Sequence, residues 1–137
     1  RLPTMIIRTK SHPDFMGQAI KFRSVMGQPV GCFAPEVLNM QLDLIKEEVE
    51  EFAEAYGECL DNIQNMRARS EALKELADLV YVAFQFAAAC GWELDEALDR
   101  VHKSNMSKLV DGKPLRREDG KVLKGPNYKK PELNDLV

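Results

Sequence analysis

The segment PEVLNMQLDLIKEEVEEFAEAY, residues 35–56, decides the fold of this 137-residue chain. Its apolar residues recur in steps of four and three, which is the period of one face of an α-helix. Pro35 suits the first turn of a helix, and Gly57 is expected to end it. The segment therefore predicts an amphipathic helix whose apolar stripe is Leu38, Leu42, Ile45, Val49, Phe52 and Tyr56.

Two more helices are predicted on either side of this one. The first covers residues 14–26, and the third starts at Ser70 and runs to about Cys90, after a mostly polar link over 61–68. The third helix enters an uncharged run over 79–92 and is apolar on all its sides, so it must be buried on all sides. Because one small chain covers such a helix only in part, a second subunit is expected against its remaining face.

The last part of the chain changes in character. A fourth helix is predicted to begin near Glu93, with an inward stripe of Leu94, Leu98 and Val101. The same spacing continues into Asn105 and Lys108, where the stripe becomes polar. From Val110 onward the sequence is rich in Gly, Pro and basic residues, which predicts a tail with a hairpin at 118–121.

Composition limits the class of protein. The net charge of −3 and the pI near 5.5 argue against a nucleic-acid partner, which usually requires a basic surface. Three widely spaced cysteines fit neither a disulfide framework nor a CxxC metal site. There is no signal-peptide layout, and the longest uncharged run is too short to span a bilayer, so a cytoplasmic protein without a membrane partner is expected. We predict one all-α domain over 1–137: a bundle of four to five helices completed by oligomerisation, with an N-terminal extension (1–12) and an irregular basic tail (110–137).

Two acidic pairs carry the candidate chemistry. Glu48 and Glu51 lie in the second helix, and Glu75 and Asp78 lie in the third. The i, i+3 spacing puts both members of a pair on one helix face. Asp78 opens the uncharged run, where a carboxylate needs a partner. Mg²⁺ prefers oxygen ligands and is often held by carboxylates together with substrate phosphates, and it would promote attack of water on a phosphorus atom.

Each of these features also has an ordinary explanation. An acidic run on a helix is often a solvated face, and polar residues such as Asn105 and Lys108 are common at helix ends. Tyr81 could form a hydrogen bond near the metal or be a core tyrosine. Gln41, two turns before Glu48, could touch a sugar or base or be solvated. Because the sequence has no Gly-rich phosphate loop, a triphosphate would depend on Mg²⁺ and scattered basic residues.

The acidic pattern, EVEE at 48–51 followed by ELAD at 75–78, resembles that of the all-α nucleoside triphosphate pyrophosphohydrolases. This MazG-like superfamily includes dimeric dUTPases, dCTP pyrophosphatases and phosphoribosyl-ATP pyrophosphohydrolases. The resemblance covers roughly residues 15–131. Its later part is similar to a phosphoribosyl-ATP pyrophosphohydrolase-like or MazG-like subgroup through the strings VHKSNMSKL (101–109), DGKP (111–114) and DGKVLKGP (119–126).

The resemblance implies a homodimer or homotetramer of a MazG-like helical bundle. Mg²⁺, with Mn²⁺ as a substitute, would bind the four matched carboxylates, which would be the catalytic residues, and Glu47 would be a further acidic residue near the metals. The reaction implied is hydrolysis of a (deoxy)nucleoside triphosphate to the monophosphate and pyrophosphate, in nucleotide-pool control or sanitation. The long first helix and basic tail differ from the histidine-pathway enzymes, so a nucleoside triphosphate is expected rather than phosphoribosyl-ATP.

The substrate contacts implied by the resemblance come from the first helix, the fourth helix and the tail. Asn105 and Lys108 match positions at the sugar or phosphates, Lys121 and Lys124 would close over the phosphates, and the base contacts are assigned to Phe22 and Gln18. The alternative function is a catalytically silent helical module that binds a nucleotide or a protein partner. The presence of all four carboxylates favours the enzyme.

Overall fold

The computed structural model describes residues 11–137, so the predicted N-terminal extension lies almost entirely outside the described residues. The prediction of an all-α fold is confirmed, because helices dominate and the sheet is a single small hairpin. The elements are α1 (Phe15–Val25), α2 (Pro35–Asp61), α3 (Met66–Cys90), α4 (Leu94–Met106), β1 (Leu115–Arg116), β2 (Val122–Leu123) and a 3₁₀ helix (Asn134–Leu136).

Helices α2 and α3 form the central pair of the fold. The link of residues 62–65 is too short for anything but an antiparallel hairpin of helices. Near the link, Cys59 Sγ donates a hydrogen bond to the backbone oxygen of Ala68 at 3.1 Å. At the far end, Leu38 packs with Ala89. Residues near the middle of α2 therefore face residues near the middle of α3.

Helix α2 continues beyond its predicted end. It passes through Gly57 and stops at Asp61. A glycine inside a helix costs about 1 kcal/mol relative to alanine, and the packing of α2 along α3 offsets that cost. The predicted end was wrong because a residue preference describes an isolated helix, whereas this helix is held by its neighbour.

Helix α3 begins earlier than predicted and ends as predicted. It starts at Met66 because the side chain of Asn65 accepts hydrogen bonds from the backbone N–H groups of Arg67 and Ala68, at 3.1 and 3.2 Å. The sequence had placed this start at Ser70. At the other end Gly91 takes a left-handed conformation with φ of 83°, as a helix C-terminal glycine commonly does.

Half of the predicted apolar stripe on α2 faces solvent. Leu42, Val49 and Tyr56 are exposed, whereas Leu38, Gln41 and Ala55 are buried. The face of α2 that packs on α3 is thus rotated from the stripe toward Glu48. The exposed row, with its seven-residue spacing, is left on the surface of the subunit.

Helix α1 packs on the C-terminal half of α3. The apolar part of this contact consists of Met16, Ala19, Phe84, Ala87 and Ala88. Beside it, the buried guanidinium of Arg23 donates to the Pro29 backbone oxygen at 2.6 Å and to Gln85 Oε1 at 3.4 Å. Burial lowers the pKa of Arg23. These bonds join α1, the following loop and α3.

The predicted inward stripe of α4 is wrong at two of its three apolar residues, since only Leu94 is partly buried and packs against the core. Leu98 is 51% exposed and Val101 is also exposed, while Ser104 is buried and donates a hydrogen bond to the backbone oxygen of Lys129 at 2.7 Å. The C-terminal segment covers this other face of α4. Arg100 holds it with two bonds to the Asp135 carboxylate, at 2.6 and 2.9 Å.

The predicted hairpin in the tail is confirmed. Leu115 pairs with Leu123 and Arg116 with Val122, and Gly120 at the turn has φ of 89°. Within residues 11–137, the structure contains no helix that combines the length and apolar character of a membrane span.

Candidate active site

Three of the four predicted carboxylates converge between α2 and α3. Glu48, Glu51 and Glu75 each place one carboxylate oxygen within 4.8 Å of the other two. They meet because the helices are antiparallel and both acidic pairs lie near the middle of their helices on facing sides. Glu48 and Glu75 are half-buried, and Glu51 is exposed. The cluster is therefore open on one side and closed on the other.

The electrostatics of the cluster are unfavourable for carboxylates alone. Burial raises the pKa of Glu48, and the negative charges of Glu51, Asp78 and Glu75 and a hydrogen bond with Glu51 raise it further. Glu48 Oε2 and Glu75 Oε2 are buried and have no hydrogen-bond partner among the described residues. Buried charge of this kind needs compensation. Hard carboxylate oxygens close to one another are the donor set that Mg²⁺ or Mn²⁺ binds, so these residues fit a divalent cation.

Asp78 lies at the edge of the cluster and is paired with a residue that the sequence analysis missed. Lys74 Nζ lies 2.6 Å from Asp78 Oδ2 and 3.6 Å from Glu75 Oε1. The two carboxylates raise the pKa of Lys74, Asp78 most strongly. Its position four residues before Asp78 is the sequence signal that predicts such a contact on a helix.

The surroundings of the cluster are acidic. A groove of about 180 Å³ beside it is lined by Glu51, Glu54, Ala55, Glu58, Glu71 and Glu75. Glu47 is exposed and lies outside the group of mutually close oxygens. A polyphosphate approaching this face would be repelled unless a cation were bound.

Gln41 is buried rather than solvated. It is 4% exposed, and its Oε1 has no hydrogen-bond partner within residues 11–137. Because it is seven residues before Glu48, it lies about 10 Å along the same face of α2. The buried face of α2 thus carries, in addition to the carboxylates, the amide oxygen of Gln41, which is able to accept a hydrogen bond.

An aromatic pair lies next to the carboxylates. The rings of Phe22 on α1 and Tyr81 on α3 meet edge to face, with centroids 5.7 Å apart. Because Tyr81 lies three residues after Asp78 on α3, its contact with Phe22 brings α1 close to the acidic cluster. Gln18 is exposed, one turn before Phe22.

The remaining predicted substrate residues lie in α4 and the tail. Asn105 is exposed in the last turn of α4, Lys108 follows the end of that helix, and Lys121 is exposed in the hairpin. Lys124 Nζ lies 4.8 Å from the centroid of the Tyr128 ring. In the described part of the chain, no hydrogen bond or salt bridge joins these four residues to the carboxylates of the same chain.

The all-α fold and the acidic cluster agree with the MazG-like superfamily that the sequence resembles. The chain belongs to the phosphoribosyl-ATP pyrophosphohydrolase family, whose model matches residues 18–105. This span contains both acidic pairs and ends at Asn105. The family is one of pyrophosphohydrolases.

One relative is an uncharacterized protein of Acanthamoeba polyphaga mimivirus. It is 26% identical over 126 residues, an alignment that covers 68% of this chain and 50% of the relative. The chain spans about half the length of the curated relative it matches.

Proposed function

We propose that this protein is a Mg²⁺-dependent nucleoside triphosphate pyrophosphohydrolase that releases a nucleoside monophosphate and pyrophosphate, in nucleotide-pool control or sanitation. The observation that carries the proposal is the cluster of Glu48, Glu51 and Glu75, which contains two buried oxygens without hydrogen-bond partners among the described residues. Membership of a pyrophosphohydrolase family supports the same reaction class.

The four carboxylates have the role of holding the cations. Glu48 and Glu51 bind from α2, Glu75 and Asp78 bind from α3, and the exposed Glu47 adds negative charge nearby. When bound, Mg²⁺ neutralises polyphosphate charge and lowers the pKa of an attacking water. The acidic groove beside the cluster repels a polyphosphate by itself, so binding of the triphosphate depends on divalent cations.

The substrate side of the site is proposed to combine three parts of the chain. Phe22, Tyr81 and Gln18 are assigned to the base or sugar, and the contact of the Phe22 and Tyr81 rings supports this assignment for those two residues. Gln41 Oε1, buried without a partner among the described residues, is suited to accept a hydrogen bond from the nucleoside. The phosphates and sugar are assigned to Asn105, Lys108, Lys121 and Lys124.

A homodimer or homotetramer is part of the proposal. Val49 and Tyr56 on α2, and Leu73 and Val80 on α3, form exposed apolar rows, with Leu73 67% exposed. Exposed apolar surface of this extent commonly marks a protein interface. We further propose that Asn105 and Lys108, which make no described bond to the carboxylates of their own chain, act on the site of a second subunit.

The oligomer proposal is tested with two inactive variants. Glu51→Gln removes a proposed metal ligand, and Lys108→Ala removes a proposed phosphate contact. Mixed oligomers of the two should regain part of the activity if Lys108 acts across the interface, since one site in a mixed dimer has both residues. A sedimentation measurement that shows only monomers at assay concentration would contradict the proposal.

The activity is tested with a panel of ribo- and deoxyribonucleoside triphosphates and phosphoribosyl-ATP, with Mg²⁺, with Mn²⁺ and with EDTA. Monophosphate and pyrophosphate, formed only with a divalent cation, are the expected products. Glu51→Gln and Asp78→Asn should abolish turnover while the protein stays folded, whereas the matched Glu50→Gln change, on the exposed face of α2, should leave turnover unchanged. Release of orthophosphate would show that the wrong bond was assigned. Nucleotide binding without turnover would indicate the catalytically silent module.

A cytoplasmic location without a nucleic-acid or membrane partner completes the proposal. The acidic composition argues against a nucleic-acid partner, the three widely spaced cysteines fit a reducing compartment, and the longest uncharged run of the sequence is short for a membrane span.

A further inference from the structure

Lys74 stands out because it is the basic residue in direct contact with the acidic cluster. Among the described residues, both salt bridges to the four proposed metal ligands come from its ammonium group: 2.6 Å to Asp78 Oδ2 and 3.6 Å to Glu75 Oε1. A divalent cation that binds Asp78 Oδ2 must compete with this ammonium, since both are positive and use the same oxygen. The lysines assigned to the phosphates make no such contact.

Helix stability explains the pair only in part. Lys74 precedes Asp78 by four residues, and this order of base before acid is the weaker one on a helix, because it opposes the helix dipole. On α4 the order is reversed: Asp99 precedes Lys103, with Lys103 Nζ at 2.7 Å from Asp99 Oδ2. The α4 pair has the order that stabilises a helix, so the two pairs form a natural comparison.

The side chain of Lys74 is able to leave its carboxylates. Its side chain is 65% exposed, and its contacts with the carboxylates are made by the terminal nitrogen. The nearby groove is lined by further glutamates, among them Glu71. If a cation occupies the carboxylates, the polyphosphate of a bound nucleotide becomes the negative group to which a displaced ammonium is attracted.

We propose that Lys74 is a displaceable counter-ion of the metal site: it neutralises Asp78 and Glu75 until divalent cations bind them, and it then contacts the polyphosphate of the substrate. This inference rests on the proposed function. It assigns a phosphate-binding role to a residue in α3, next to the metal ligands. No bond is made or broken in this exchange, because one cation replaces another at the same oxygens.

The test measures binding, so it does not depend on turnover. Mn²⁺ affinity of the nucleotide-free protein is measured by electron paramagnetic resonance for wild type, Lys74→Gln, Lys74→Arg and the control Lys103→Gln. Lys74→Gln should bind Mn²⁺ more tightly, by roughly twofold to tenfold, because a competing positive charge is removed. Lys74→Arg should stay near wild type, and Lys103→Gln should be unchanged.

A second measurement tests the transfer to phosphate. At saturating Mn²⁺, the affinity for a nucleoside triphosphate with a methylene bridge between the α and β phosphates should fall roughly threefold or more in Lys74→Gln, and Lys74→Arg should restore it. Opposite changes in the two affinities support the proposal. A role confined to stability would instead change the melting temperature of Lys74→Gln and leave the affinities for Mn²⁺ and for the nucleotide analogue unchanged.

Three results would overturn the inference. Equal Mn²⁺ affinity in Lys74→Gln and wild type would show that the pair is an ordinary surface salt bridge. Weaker Mn²⁺ binding in Lys74→Gln would show that Lys74 helps to hold the metal ligands in place rather than competing with the metal. Unchanged binding of the nucleotide analogue in Lys74→Gln would rule out the proposed contact of Lys74 with the polyphosphate. A variant with Glu51→Gln separates this failure from that of the proposed function: if Glu51→Gln does not weaken Mn²⁺ binding, the metal site itself is wrong.

Discussion

Replacing Glu48 by glutamine should stabilise the protein when divalent cations are removed. Glu48 is half-buried, and its carboxylate lies within 4.8 Å of oxygens of Glu51 and Glu75. Glutamine has nearly the same shape, carries no charge, and its amide is able to donate a hydrogen bond to Glu51, as a protonated Glu48 does. The change therefore removes repulsion without leaving a cavity.

The magnitude follows from the distances. Two unit charges 4.8 Å apart repel by about 0.9 kcal/mol in the dielectric of water. With two such neighbours, Glu48→Gln should raise the free energy of unfolding by about 1–2 kcal/mol at pH 8 and low salt. For a domain of this size that corresponds to an increase of about 3–8 °C in melting temperature.

The gain should depend on pH. Because the pKa of Glu48 is raised in the folded protein, the folded state holds this proton more tightly than the unfolded state does. The stability that this tighter proton binding contributes is fully present below the ordinary glutamate pKa of about 4.3, and it is lost as the pH rises through the higher pKa of Glu48 in the folded protein. The advantage of Glu48→Gln should thus be absent near pH 4 and reach its full size above the folded pKa.

Urea unfolding in EDTA, followed by circular dichroism from pH 4 to pH 8, measures this difference. Glu50→Gln is the control, and on an exposed position it should change stability by less than about 0.5 kcal/mol. Adding Mg²⁺ at one hundred times its Kd should stabilise wild type by about 2.7 kcal/mol and Glu48→Gln much less. A Glu48→Gln variant that is less stable than wild type in EDTA at pH 8, or a difference that does not vary with pH, would refute the reasoning.

Further predictions concern the helix ends and the C-terminal segment. Gly57→Ala should stabilise the protein by about 0.5–1 kcal/mol in urea unfolding, since Gly57 is helical and an added Cβ meets nothing within 4 Å among the described residues. Gly91→Ala should destabilise it by about 1–2 kcal/mol in the same assay, since φ there is 83° and the new Cβ would lie 3.3 Å from Gly31 Cα. Arg100→Gln should speed hydrogen exchange over residues 132–137 and leave α2 and α3 unaffected, because the bonds of Arg100 to Asp135 and to the Glu132 backbone are lost.

The number and order of the helices could be predicted from the sequence because apolar period and helix-ending residues are local signals. Gly91 is such a signal, and it ends α3 as expected. Gly57 is the same residue type and does not end α2, because contact with α3 carries the helix onward to Asp61. Tertiary packing of this kind has no local signature.

The rotation of each helix about its axis was the least predictable feature. The stripe on α2 correctly marked an amphipathic helix, yet Val49 is exposed and Gln41 is buried. On α4, Leu98 is exposed because the tail covers the face of Ser104 instead. A period identifies an apolar face but does not tell which neighbour, within the chain or in a second subunit, will cover it.

The candidate site was predictable in part. The spacing of Glu48, Glu51 and Glu75 was enough to place them together once α2 and α3 were antiparallel. The contact of Lys74 with Asp78 was overlooked although its four-residue spacing is a signal for it, because such spacings are common on helices and only coordinates show which oxygen the lysine meets.

A crystal structure with Mg²⁺ and a methylene-bridged nucleoside triphosphate tests the central claim most directly. We predict at least one Mg²⁺ at about 2.1 Å from carboxylate oxygens of both α2 and α3, with phosphate oxygens completing its coordination. Nucleotide bound elsewhere, with Glu48, Glu51, Glu75 and Asp78 free of metal, would contradict it.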